Sequence, residues 1–117
     1  MEEIVKRVKG PIVLHICGNT DPIIEMMCDT GIVGISIEEL ADMKKAVKIA
    51  HEKGVKVFGN VSAASTLFQG TPEEVYQEAT QALDNGTDFL CPGCGIAPNS
   101  PLENIVQIKK ARDDYFK

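Results

Sequence analysis

Four β-branched, apolar segments recur along the chain, at residues 12–17, 33–37, 55–61 and 87–91, and each gives way to a stretch whose apolar positions return at helical spacing. The punctuation between them is clear. Asp21-Pro22 reads as an N-cap followed by proline at the first helical position, and Thr71-Pro-Glu-Glu and Ser100-Pro-Leu-Glu read as capping boxes with the same proline. Gly31, Gly54 and Gly86 fall where a helix-ending glycine belongs. With the amphipathic start at residues 2–9, the order is one helix and then four βα units. Strands that alternate with helices pair in parallel through right-handed crossovers, so the fold class is α/β. An open doubly wound sheet and a piece of a (β/α)8 barrel both fit, and in either one functional groups gather at the C-terminal ends of the strands. A complete barrel takes about 250 residues. At 117 residues, four parallel βα units would make half of one, a single domain over residues 1–117.

The strand ends therefore carry the candidate chemistry, and they are residues 15–19 (HICGN), 36–39 (SIEE), 59–62 (GNVS) and 91–95 (CPGCG). His15 and Cys17, two apart, face one side of a strand, and groups from distant strand ends converge on one rim, so Cys94 can join them. Two thiolates and an imidazole suit tetrahedral zinc, and three firm ligands leave a fourth position for water or substrate, as in a catalytic site. Cys91 forms a C-x-x-C with Cys94, so a closed four-ligand zinc site and a thiol redox pair are both rivals. Against them, Cys91 closes an apolar strand, and no helix N-terminus follows directly to acidify a thiol. Glu38 and Glu39 reach the same rim as a reversible ligand or general base, although an acidic pair opening the next helix would serve its dipole equally well. Asn60 and Ser62 offer small polar groups for a ligand pocket. Cys28, beside Met26 and Met27, reads as packing, and His51 as a helix C-terminal residue.

Composition narrows the classes. A hydrophobic content of 44% supports a modest core, and a net charge of -5 without a Lys/Arg cluster argues against nucleic acid or an anionic membrane surface. The charged N-terminus and the lack of a long apolar run make the cytoplasm the expected compartment, where four cysteines are thiols or ligands before they are disulfides. No phosphate-binding glycine loop or G-x-S-x-G elbow occurs.

The segments LHICGN, GNVSAASTLFQGTPEEV and CPGCGIAPNSPLENI together resemble the C-terminal part of the methylcobamide:coenzyme M methyltransferases, in the uroporphyrinogen decarboxylase superfamily. The resemblance spans essentially the whole chain. It implies His15, Cys17 and Cys94 as zinc ligands and an acidic residue at Glu38 or Glu39 as a ligand that leaves when substrate arrives. It also implies transfer of a methyl group from a methylated corrinoid protein to the thiol of coenzyme M or a similar small thiol. A zinc- or corrinoid-protein-binding module without turnover, a uroporphyrinogen decarboxylase-like protein and a C-x-x-C redox protein are the alternatives. Because family members are full barrels, a half barrel with open edges is expected to self-associate as a homo-oligomer.

Overall fold

The structure is a computed structural model that describes residues 1–117. Helix α1 (Glu2–Arg7) precedes four βα units. These are strand β1 (Val13–His15) with a 3-10 turn (Asp21–Ile23) leading into helix α2 (Ile24–Cys28), then β2 (Gly34–Ser36) with α3 (Met43–Glu52). β3 (Lys56–Val61) follows, with a π-helical turn (Ala63–Phe68) and α4 (Pro72–Asp84), and last β4 (Phe89–Pro92) with α5 (Leu102–Tyr115). All pairings are parallel and the strand order is β1-β2-β3-β4. Chain order and spatial order coincide, with no reversal of the kind that defines a doubly wound sheet, which selects the barrel type among the two expected architectures.

Local chemistry accounts for most boundaries. At α4 the expected capping box forms, with the Glu74 amide donating to Thr71 Oγ1 at 3.2 Å and the Thr71 amide to Glu74 Oε2 at 3.0 Å. Gly31, Gly54 and Gly86 take φ of 91°, 71° and 98°, the left-handed turn that ends a helix. Three expectations are corrected. The strands are shorter than the apolar runs, so Cys17 lies beyond the end of β1. Thr20 rather than Asp21 stands at the cap of the first βα turn, while the Asp21 carboxylate accepts the Asp42 amide across the rim at 2.9 Å. At α5 no box forms: Pro101 occupies the cap position, and the Ser100 hydroxyl is buried without a partner.

Alternation along the strands sorts residues between two unlike faces. On one, Ile35, Ile37, Val57 and Val61 are fully buried and pack with Ile24, Met27, Ala46 and Ala50 of α2 and α3, or with Val75, Ala79 and Ala111 of α4 and α5. On the other, Val13 and His15 of β1 are exposed, and the register sets His15 beside Ser36 and Ser36 beside Phe58. Phe58 stacks on Phe89 with centroids 4.3 Å apart. Gly34 keeps room for this row, since a Cβ there would lie 2.8 Å from the Phe58 ring.

Candidate metal centre

Where β1 ends, the chain carries His15 and, two residues later, Cys17; where β4 ends at Pro92, it bends at Gly93 and Cys94 and presents the Cys94 thiol. The structure brings these three together. The Nε2 atom of His15 lies 3.2 Å from Cys17 Sγ, Cys17 Sγ lies 3.3 Å from Cys94 Sγ, and all three ligand atoms fall within 4.8 Å of one another. A metal held at zinc–sulfur lengths of ~2.3 Å in a tetrahedron separates its sulfurs by about 3.7 Å, so the cluster has the compass of one ion. Each of the three residues is exposed, on a rim and outside the core.

The ring of His15 is held from behind. Its Nδ1 sits 3.2 Å from the Ser36 carbonyl oxygen and 3.0 Å from Ser36 Oγ. A carbonyl only accepts, so this contact favours the proton on Nδ1 and turns the Nε2 lone pair toward the thiols. Ser36, which the sequence placed at a strand end without a role, is the contact that holds this ring; its signal was the cross-strand neighbour position of His15, legible only with the register. The hydrogen bond shared with Cys94 raises the Cys17 thiol above its ordinary value, and desolvation and the charges of Cys94, Glu38 and Glu39 act in the same direction. Two adjoining thiols resist losing both protons unless a cation lies between them.

Glu38 and Glu39 do not open a helix. Asp42 is the cap of α3, accepting from the Lys45 amide at 3.1 Å, and the glutamates lie in the loop before it, so the helix-dipole explanation fails. Both line a cleft of about 360 Å³ with Cys94, Phe68 and Ile96. Gly93 fits this loop to the Cys94 loop, because a Cβ on it would come within 2.7 Å of Glu38 Cα. The two carboxylates differ: Glu39 Oε1 accepts from Ser62 Oγ at 3.1 Å, whereas that of Glu38 has no hydrogen-bond partner in the protein.

Asn60 and Ser62 lie beside this cleft with their polar groups engaged inward. Asn60 donates its amide to the Glu38 carbonyl at 3.2 Å, tying β3 to the acidic loop. Ser62 is 2% exposed, gives its amide to Glu78 Oε1 at 2.7 Å, and sits 2.6 Å from Ser65 Oγ. Cys91 faces away from the cluster into a separate cleft with Leu90, Ile105 and Arg112, and burial pushes its thiol up despite a backbone hydrogen bond from Gly59. Cys28 is buried in the core, and His51 pairs with Asp88 at 2.8 Å at the far end of the sheet.

Comparison with known proteins points the same way. The model of the uroporphyrinogen decarboxylase (URO-D) family matches residues 1–115. The methylcobamide:CoM methyltransferase MtaA of Methanosarcina barkeri is 39% identical over 117 residues, which is 99% of this chain and 34% of that protein. MtbA of Methanosarcina acetivorans, another methylcobamide:CoM methyltransferase, is 34% identical over 113 residues, 97% of this chain and 33% of its own. A solved structure described as a methyltransferase from Methanosarcina mazei superposes with a TM-score of 0.92 at 40% identity, over 99% of this chain and 34% of that one. The chain thus spans about a third of the length of the curated relatives it matches. No helix is long and apolar enough to cross a membrane. Parallel units in barrel order, the match over nearly all residues and the agreement with relatives at this identity lead to one assignment: the chain belongs to the uroporphyrinogen decarboxylase family.

Proposed function

We propose that this chain is the zinc-holding, C-terminal portion of a methyltransferase that moves a methyl group from a methylated corrinoid protein to the thiol of coenzyme M. The observation that carries the reading is the convergence of His15, Cys17 and Cys94 within 4.8 Å at the C-terminal rim of the sheet. An imidazole and two sulfurs suit zinc better than the harder cations that prefer oxygen. When bound, zinc would supply the Lewis acidity that keeps a substrate thiol deprotonated near neutral pH.

The protein's own residues set the rest. Cys17 and Cys94, as thiolates, would balance the charge of a bound zinc ion, so a substrate sulfur beside them would stay electron-rich. Its lone pair forms the new S–CH3 bond, and the electron pair of the broken Co–CH3 bond remains on the partner's cobalt. Ser36 positions His15 through Nδ1. Of the two glutamates, Glu39 is held by Ser62, which leaves the Glu38 carboxylate as the freer group to take the thiol proton or occupy the fourth position before substrate arrives. Asn60 and Ser62 act by shaping this loop from within.

The open sheet face and the two unpaired edge strands support self-association, or union with the rest of a longer chain, as the state in which the pocket is closed. The open sheet face, with Val13 and Phe89 exposed below the cluster, favours one second reading, a metal-holding module that does not turn over unless that face is covered. Zinc content, followed by methyl transfer from free methylcobalamin to 2-mercaptoethanesulfonate, tests both. One zinc per chain with methylation supports the enzyme. One zinc without methylation supports the module, and no zinc with a Cys91–Cys94 disulfide removes both in favour of a redox pair.

A further inference from the structure

The cleft beside the metal cluster contains two carboxylates, Glu38 and Glu39, an apolar wall that includes Phe68 and Ile96, and no Lys or Arg. The chain's plan explains why. No Lys or Arg occurs between Lys9 and Lys44 or between Lys56 and Lys109, and all four loops at the C-terminal ends of the strands fall inside these two intervals. The cations sit instead on the outer helices and at the opposite end of the sheet, as with Lys56 beside Asp88. Lys109 and Arg112 line the separate cleft between β4 and α5 and are paired with Asp113. Nor is the Ser62 amide free to take an anion, because Glu78 already accepts it at 2.7 Å.

We infer that these residues recognise only the thiol end of a small substrate, and that the cation pairing with an anionic far end comes from polypeptide outside them. The inference rests on the function proposed above. A thiol carrying a sulfonate brings a permanent negative charge into a cleft that holds two more, and nothing in the cleft offsets it. Like charges closer than the Debye length, about 10 Å at 0.1 M salt, repel measurably even in water. The 117-residue chain alone should therefore prefer neutral and cationic small thiols to anionic ones of the same length, the reverse of what a sulfonate-specific site needs.

The experiment uses the full chain loaded with Co(II) in place of zinc, with thiol binding read from the thiolate-to-cobalt charge-transfer absorption. The probes are 2-mercaptoethanesulfonate, 2-mercaptoethanol and 2-aminoethanethiol, each affinity being referred to the concentration of its thiolate form. The expected order is cationic, then neutral, then anionic, with about tenfold between neutral and anionic at low salt and a smaller gap at high salt. The double variant Glu38→Gln, Glu39→Gln should shrink that gap severalfold. Equal or tighter binding of the sulfonate overturns the inference, as does a gap that the double variant leaves intact. If cobalt binds but none of the three thiols alters its spectrum, the thiol-binding function itself fails and the inference falls with it.

Discussion

The two faces of the sheet are built from the same four strands by the same alternation, yet they are in unlike states. The helix-side face is finished: Ile35 and Val57 are 0% exposed, closed over by α2 and α3. On the opposite face Val13 is 42% and Phe89 52% exposed, and the polar end of that face carries His15 and, just beyond the strands, Cys17 and Cys94. One face is completed by neighbouring helices along the same chain. The other has the candidate metal ligands at its rim and exposed apolar side chains below them, which is the condition of a barrel interior seen from within half a barrel.

The largest expected effect is at the rim. Cys17→Ser should lower zinc affinity by more than about a hundredfold, beyond what changes around a ligand usually cost, while Ser36→Ala should cost about tenfold by loosening His15. Competition with a chromophoric chelator measures both, and far-ultraviolet circular dichroism should stay unchanged. Global unfolding of Cys17→Ser would place the cluster among the supports of the fold and erase the contrast with the buried face.

Next comes the core itself. Ile35→Ala should destabilise by about 2–5 kcal/mol, since it leaves a cavity among packed neighbours. Phe89→Ala, at the edge strand, should cost only about 1 kcal/mol, mainly its stacking on Phe58. Urea unfolding at low micromolar concentration compares the two. Equal losses would show that the open face is covered in solution, and a Phe89→Ala effect that grows with protein concentration would identify a second copy as the cover.

A smaller effect lies at the base, where Asp88 joins the layers by accepting from His51 and from the Val57 amide, both at 2.8 Å. Burial pushes the Asp88 carboxyl up, but the hydrogen bonds from His51 and Val57, with Lys56 nearby, outweigh it and hold the group below its ordinary value. A carboxyl lowered by folding stabilises fully above its unfolded pKa of about 4 and loses that contribution as pH falls through the folded value. The urea midpoint should accordingly drop on acidification below about pH 4, and Asp88→Asn should flatten part of the slope.

How much of this was legible in the sequence differs between the faces for a physical reason. The helix-side face announced itself, because β-branched runs, proline starts and glycine stops are local signals, and the parallel α/β order followed from them. The cluster was legible as well, since an H-x-C at one strand end and a cysteine at another have few reasons to share a rim. Register-dependent facts were not. Ser36 behind His15 and Gly93 against Glu38 depend on which residues lie side by side across the sheet. The strand ends were overextended because apolar character continues past the last ladder hydrogen bond, as at Ile16. That Glu38 and Glu39 instead open a helix stayed an open alternative in the sequence because the true cap, Asp42, offers the same acidic signal three residues after Glu39.

The smallest effect separates two motifs that looked alike in the helix layer closing the buried face. Thr71-Pro-Glu-Glu and Ser100-Pro-Leu-Glu share hydroxyl, proline and glutamate at the same spacing, but only the first closes its box, with both hydrogen bonds made. Before α5 the chain turns so that Pro101 takes the cap position, and the Ser100 hydroxyl is turned into the protein without an acceptor. Thr71→Ala therefore removes a formed cap and should cost about 1 kcal/mol. Ser100→Ala removes a buried hydroxyl that gains nothing in the fold, and should leave stability within about 0.5 kcal/mol of the parent or raise it slightly. Thermal unfolding of the pair at neutral pH measures the difference. Equal destabilisation by the two substitutions would mean that Ser100 closes its box in solution, and that the two helices covering β3 and β4 are started by the same device.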